Sequence, residues 1–360
     1  AQTGESAGSL ALIGSLRDFI FHLTQILAGF AVRKLGYVRM MAAGMLSLVA
    51  SLLLDSIAPG TRWLFISYSL LSGISLSMLM TPAIAVLYEH LRGNQLAIAV
   101  HLASSGLGAG GLLVNPLMHY SLLEFGWRET QRLCAATCAM VLAASLLGLW
   151  WSTRARPSSR VTGVGAPPLK RSLSSALKEH GQDLLHPLSE LNFVLLCAAF
   201  FFFFCGCTVP YTHLVFYARD VQGYEDAPQM MSRMGAASML GSLAFGFVSG
   251  YCRASVVFVI VITIQSVALI CLPYCHDAVE LEAFSRLFGT FAGIRLGIQS
   301  LVVAEFFGAD RVAHLYGLAN LPMSLGSLVG PAVVGAIYDA TGSYTLAFWG
   351  VGMQMLLAIP

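Results

Sequence analysis

Charge is scarce in this 360-residue chain. Asp, Glu, Lys and Arg make up 11% of it, against 57% hydrophobic residues and a mean hydropathy of +0.74. So little charge excludes a soluble protein with one or two ordinary cores and implies a polytopic membrane protein. The net charge of +2 is too small to point to nucleic acid as a partner. A Gly-rich phosphate loop ending in Lys-Ser or Lys-Thr is absent, which leaves nucleotide-driven work without support. Metal-ligand clusters and a nucleophile elbow are also absent, so we expect no catalytic residues, no metal site, no cofactor and no enzyme activity. The eight cysteines, mostly in apolar stretches (Cys134, Cys138, Cys197, Cys205, Cys207, Cys271), lack a zinc or disulfide spacing and read as small membrane-core residues. Residue 1 is Ala, with no initiator Met, charged leader region or cleavage site before the first apolar stretch, so a fragment or truncated product is expected.

What the chain has is apolar length. Windows able to cross a bilayer lie near 10–32, 38–57, 63–88, 95–118, 130–151, 190–217, 229–250, 254–274, 283–307, 312–337 and 344–360. The expected fold class is an all-α polytopic membrane protein with eleven spans. One long hydrophilic segment, 152–189, carries Arg154, Arg156, Arg160, Lys170, Arg171 and Lys178 among Ser, Gly and Pro, and reads as a flexible cytosolic linker. It separates an N-terminal half, 1–151, with five spans, from a C-terminal half, 190–360, with six.

With the linker inside, strict alternation places Arg33, Lys34, Arg39, Arg92, Arg253 and Arg311 on the same side. Twelve of the twenty Lys and Arg are then cytosolic, against five outside: Arg62, Arg128, Arg132, Arg219 and Arg233. That asymmetry supports the orientation. It also leaves residues 1–9 outside, so a cytosolic N-terminus requires one more helix before Ala1, and five plus six becomes six plus six. Such a plan is typical of carriers built from two similar halves that hold a solute near the midplane.

Within the ninth window Arg295 lies near the bilayer centre, where an arginine costs on the order of 3 kcal/mol unless it faces a wet cavity or a partner. Gly289, Gly293 and Gly297 line one face of the same helix and permit close packing. Arg295 projects about 200° round from each of its two nearest glycines, and Gln299 follows one turn later on the arginine side. The planar guanidinium suits bidentate carboxylate recognition, and an ion pair with an acidic residue on another helix is the competing role.

In the first window Asp18, His22 and Gln25 form a polar stripe. Asp18 is free to pair with Arg295 or with Arg17, or to take up a proton, and His22 is the second proton-coupling candidate. Tyr211 and His213 follow a proline in the sixth window, where a helix break often adjoins a solute path, and both are candidate substrate contacts. His101 is either functional or a hydrogen-bonded core histidine. Asn320, Ser324 and Ser327 read as helix packing, and the run Phe200 to Phe204 as lipid contact and packing.

Several tracts carry a family resemblance. The stretch 330–344 opens on Gly330-Pro331 and closes on Tyr338-Asp339-Ala340-Thr341-Gly342-Ser343-Tyr344. Others are Val209-Pro210-Tyr211 with Tyr217-Ala218, Glu124-Phe125-Gly126-Trp127-Arg128, Thr81-Pro82-Ala83 and Glu305-Phe306-Phe307-Gly308-Ala309-Asp310-Arg311. In this order they resemble the monocarboxylate transporter family of the major facilitator superfamily. The loop from Gly29 to Arg39 is similar to the superfamily's loop between helices two and three, with Arg33 at its usual acidic position.

The resemblance implies a major facilitator fold, with family helices two to six in 1–151 and seven to twelve in 190–360, the first helix and its lysine lying before Ala1. It further implies a secondary transporter moving a small monocarboxylate or related organic anion or zwitterion across the plasma membrane by alternating access. Protons and a single-span accessory subunit are implied partners, beside the lipid bilayer. One departure bears on the site: the family's eighth-helix Asp and Arg align with Ser238 and Ser242, neither of which carries charge. The two serines enter as candidate substrate contacts, and the anion-binding charge is expected at Arg295 instead. Facilitated diffusion of an aromatic or amino-acid-like solute stays open beside proton symport, as does a truncated, non-transporting protein.

Overall fold

The computed structural model describes residues 7–155, 187, 190–308 and 312–359. Most of the linker expected at 152–189, together with Arg311, lies outside them. Among the described residues there is no strand. Eleven helices occupy the eleven windows: α1 Ala7–Leu35, α2 Tyr37–Ser56, α3 Thr61–His90, α4 Gly93–Glu124, α5 Gly126–Ala155, α6 Leu191–Arg219, α7 Ala227–Val248, α8 Ala254–Tyr274, α9 Ala278–Phe307, α10 Val312–Thr341 and α11 Thr345–Leu356. Seven of these, α2, α3, α4, α6, α8, α9 and the stretch Leu315–Thr341 of α10, are long and apolar enough on their own to cross a membrane.

Local chemistry sets the helix ends. Asp277 precedes α9 and its carboxylate accepts the Glu280 N–H at 2.8 Å, while the Glu280 carboxylate accepts the His276 N–H at 2.9 Å. This reciprocal arrangement satisfies amides that a helix start leaves unpaired. The α1–α2 turn is made at Gly36, whose φ of +78° few other residues adopt. In α6 the regular helix stops at Cys207 and resumes at Val209, with Pro210 in the first turn of the second segment.

The helices form two groups that meet along two seams. In the first group α1 and α2 pack on α3, and α2 packs on α5; in the second α6 packs on α10, α9 on α7 and α8, and α11 on α8 and α6. Between the groups the principal contacts are α4 with α7 and α1 with α10. Matching α1 to α5 in order with α7 to α11 exchanges these two seams, as a two-fold relation between the groups would.

The two groups are held by different chemistry. The large hydrophobic core, including Phe193, Phe200, Phe258, Phe288 and Phe348, belongs to the second group. In the first, hydroxyls do much of the bridging: Ser51 donates to the Ser67 carbonyl at 2.7 Å, Ser69 to the Ile13 carbonyl at 2.8 Å, Ser75 to Ser47 at 2.8 Å and Thr24 to Ser77 at 2.9 Å. Close approach at the α4–α7 seam depends on small residues, since a Cβ at Gly108 would strike the Met239 backbone.

Candidate functional site

The glycine face of α9 packs as its spacing predicts. A Cβ at Gly289 would meet the Met234 backbone of α7, one at Gly293 the Ser238 carbonyl, and one at Gly297 the imidazole of His101 on α4. With that face occupied, Arg295 and Gln299 point the other way and are buried, at 7% and 3% exposure. The Arg295 guanidinium carbon lies 5.4 Å from the ring centroid of Phe204 and 5.8 Å from that of Phe203, both on α6. Its charge acts on Cys207 and Tyr211 of α6, Tyr316 of α10 and His22 of α1. Three helices, α1 from the first group and α6 and α10 from the second, therefore converge on this one cation of α9.

Polar bonds extend the cluster across the α1–α10 seam. His22 Nδ1 lies 3.1 Å from Asn320 Oδ1, and Asn320 Nδ2 donates to Gln25 Oε1 at 3.0 Å. The Phe204 ring meets His22 edge-on at 5.3 Å. Tyr211 is 43% exposed, so the cluster has an open side.

Arg295 has no acidic partner within ion-pair distance among the described residues. The Asp18 carboxylate is bonded instead to its neighbour Arg17 at 3.2 Å, and Arg17 also donates to the Tyr68 hydroxyl at 2.8 Å. Two buried donors, Arg295 Nε and Gln299 Nε2, have no hydrogen-bond partner among the described residues. Aromatic rings near a guanidinium interact through its flat faces and leave its N–H edges for planar oxyanions. The arrangement is suited to recognising a carboxylate.

The sequence candidates divide. Arg295, Gln299, Tyr211 and His22 come together, with Asp18 one turn from His22. His213 lies elsewhere, between the Pro331 carbonyl at 3.0 Å and the Tyr344 hydroxyl at 3.2 Å. Ser238 and Ser242 fall on the glycine side of α9, away from Arg295, where Ser242 donates to the His101 carbonyl at 2.8 Å. His101 is fully buried, and its ring nitrogens have no hydrogen-bond partner among the described residues.

Two sequence readings need correction. Phe200, Phe203 and Phe204 are buried against protein rather than lipid, because α10, α11 and α8 pack on that side of α6. Asn320 is a bridge between the groups rather than a plain packing residue. The sequence offers no signal for either: the partners of Asn320 lie on another helix, and a phenylalanine run covering every face of its helix does not single out Phe203 and Phe204.

Two interlocked helix groups with a buried cation and polar network between them define a polytopic membrane carrier. The chain matches the Major Facilitator Superfamily over residues 1–278, and it belongs to that superfamily, with relatives of the monocarboxylate transporter type. Monocarboxylate transporter 12 of Xenopus laevis is 25% identical, over 85% of this chain and 69% of its own length. Human monocarboxylate transporter 12 is 25% identical over 89% and 66%, and monocarboxylate transporter 13 of Rattus norvegicus 25% over 98% and 78%. The chain thus spans about two thirds of the transporter 12 proteins.

Among solved structures, the human organic anion transporter TETRAN superposes with a TM-score of 0.74 at 17% identity, over 97% of this chain and 82% of that one. FucP in its outward conformation gives 0.65 at 15%, over 97% and 87%. These likenesses establish the major facilitator fold. The relatives and neighbours are transporters, not enzymes, which defines the partners broadly as a small solute and a membrane.

Proposed function

We propose that the chain moves a small monocarboxylate, or a related carboxylate-bearing solute, across the plasma membrane by alternating access. The solute sits between the halves 1–151 and 190–360, which the cytosolic linker 152–189 joins. The observation that carries this reading is the buried guanidinium of Arg295, without an acidic partner among the described residues, with Gln299 one turn away: Arg295 Nε and Gln299 Nε2 are donors on one helix without a partner among those residues. A carboxylate would take the N–H edge of Arg295, with Gln299 and Tyr211 contributing further hydrogen bonds. Phe203 and Phe204 favour an apolar or aromatic body on the solute, which also supports the second reading, an aromatic or amino-acid-like substrate. The names of the monocarboxylate transporter relatives point the same way. His22 and Asp18 are the groups to carry a coupling proton.

The test is Arg295→Lys, which keeps the charge and loses the planar fork. Carboxylate uptake at equal surface expression should fall by about tenfold or more, the range for removing a charge-assisted hydrogen bond of ~1.5–3 kcal/mol. Undiminished uptake at two external pH values would refute the assignment and leave Arg295 a structural cation.

A further inference from the structure

Arg286 and Arg295 are nine residues apart on α9 and therefore project about 180° from one another. Arg295 turns toward the cluster between the halves; Arg286 turns outward, with its side chain 65% exposed. Beside it a trough of about 540 Å3 runs between α7 and α9, from Arg233 and Arg286 along Ala237, Leu240, Gly241 and Ala244. Its floor is closed by tight packing, since a Cβ at Gly241 would meet the Thr290 backbone. A second space of about 350 Å3 continues past Arg286 toward the start of α9, beside Ala278, Val279, Glu282 and Ala283.

The polar end presents two guanidinium groups, Arg233 and Arg286, with Asp226 acting on Arg233 besides Glu282. The Glu282 carboxylate accepts from Arg286 at 2.8 Å and also from Arg233, so two guanidinium groups share one carboxylate. Arg233 donates further to the Tyr224 hydroxyl at 3.1 Å. From residue 233 to residue 244 the helix rises about 16 Å, close to half of the ~30 Å hydrocarbon core. The trough therefore has the length of one leaflet, cationic at one end and apolar along the rest.

We propose that this trough seats one anionic phospholipid, with its phosphate on Arg286 and Arg233 and an acyl chain along Ala237, Leu240 and Ala244. Phosphate oxygens match the guanidinium fork. A zwitterionic lipid brings its own cation to the same place and gains less. The site stands apart from Arg295 and does not depend on the identity of the transported solute.

The experiment is native mass spectrometry of the full chain purified with equal amounts of phosphatidylglycerol and phosphatidylcholine. Phosphatidylglycerol adducts should exceed phosphatidylcholine adducts by about fivefold, the factor one cation near the headgroup supplies. Arg286→Gln should bring the two lipids to parity, and Arg286→Lys should keep most of the preference. Ala237→Phe, which fills the trough but leaves both arginines, should also abolish selective retention. Equal retention of both lipids by the unaltered chain overturns the proposal. So does a preference that survives Ala237→Phe, because it would reflect attraction to surface cations without a seated chain.

Discussion

His22 on α1 and Asn320 on α10 meet across the two halves at 3.1 Å, and Asn320 reaches on to Gln25 at 3.0 Å. One buried amide thus bonds two side chains of the opposite half, which fixes the register of the α1–α10 seam next to Arg295. Asn320→Ala would leave His22 and Gln25 without the amide that bonds them. The thermal stability of the purified chain should fall by about 1–3 kcal/mol, read as a lower melting temperature. An unchanged melting temperature would mean that the bridge contributes nothing to the joined state.

The glycine face of α9 gives a paired prediction. A methyl at Gly297 collides with a side chain, that of His101, whereas a methyl at Gly293 collides with the Ser238 carbonyl. Each alanine substitution should destabilise by about 1–3 kcal/mol. His101→Ala should recover much of the loss at Gly297 and none at Gly293, and a double-mutant cycle on melting temperature measures the difference. Equal recovery at both positions would contradict the packing described.

Ser242 and Gln299 separate packing from recognition. The Ser242 hydroxyl already donates to the His101 carbonyl, so Ser242→Ala should cost about 1 kcal/mol of stability and leave the KM for a carboxylate unchanged. Gln299→Leu removes a donor that has no protein partner. It should raise KM severalfold with little loss of stability, and a reversed pattern of KM effects would return the serines to the solute path.

Asp18 and Arg17 form a pair whose side chains are 41% and 32% exposed, and pairs of that kind contribute less than about 1 kcal/mol. Asp18→Asn should therefore leave the melting temperature nearly unchanged. Uptake followed at two external pH values then reports on coupling: if Asp18 carries the proton, its pH dependence flattens. A fully retained dependence would assign that role to His22.

Local signals are legible in the sequence, and contacts between distant helices are not. Eleven apolar windows became eleven helices because a span needs length and apolarity, both of which are local. Arg295 and its glycine face were legible for the same reason, since a charge at mid-membrane depth and a four-residue spacing are properties of one helix. The second donor, Gln299, followed from the same periodicity. What closes around them was not legible. Phe203 and Phe204 differ from their neighbouring phenylalanines only in which helix lies opposite, and Asn320 differs from a packing asparagine only by having His22 and Gln25 across the seam. The family resemblance brings Ser238 and Ser242 into the site, but the Ser242 hydrogen bond and the packing of Ser238 against Gly293 follow from the direction in which α7 turns them.

The hydroxyl contacts that join α1, α2 and α3 have a consequence for how the protein changes shape. An interdigitated aromatic core resists sliding because every displacement opens a void and forfeits dispersion contacts. A serine hydroxyl can give up one carbonyl for another, or for a passing water, at a small net change in free energy. Deformation should therefore collect where Ser51, Ser69 and Ser75 make their bonds, while the phenylalanine-rich half moves as a rigid piece. The N-terminal half is built to be lubricated.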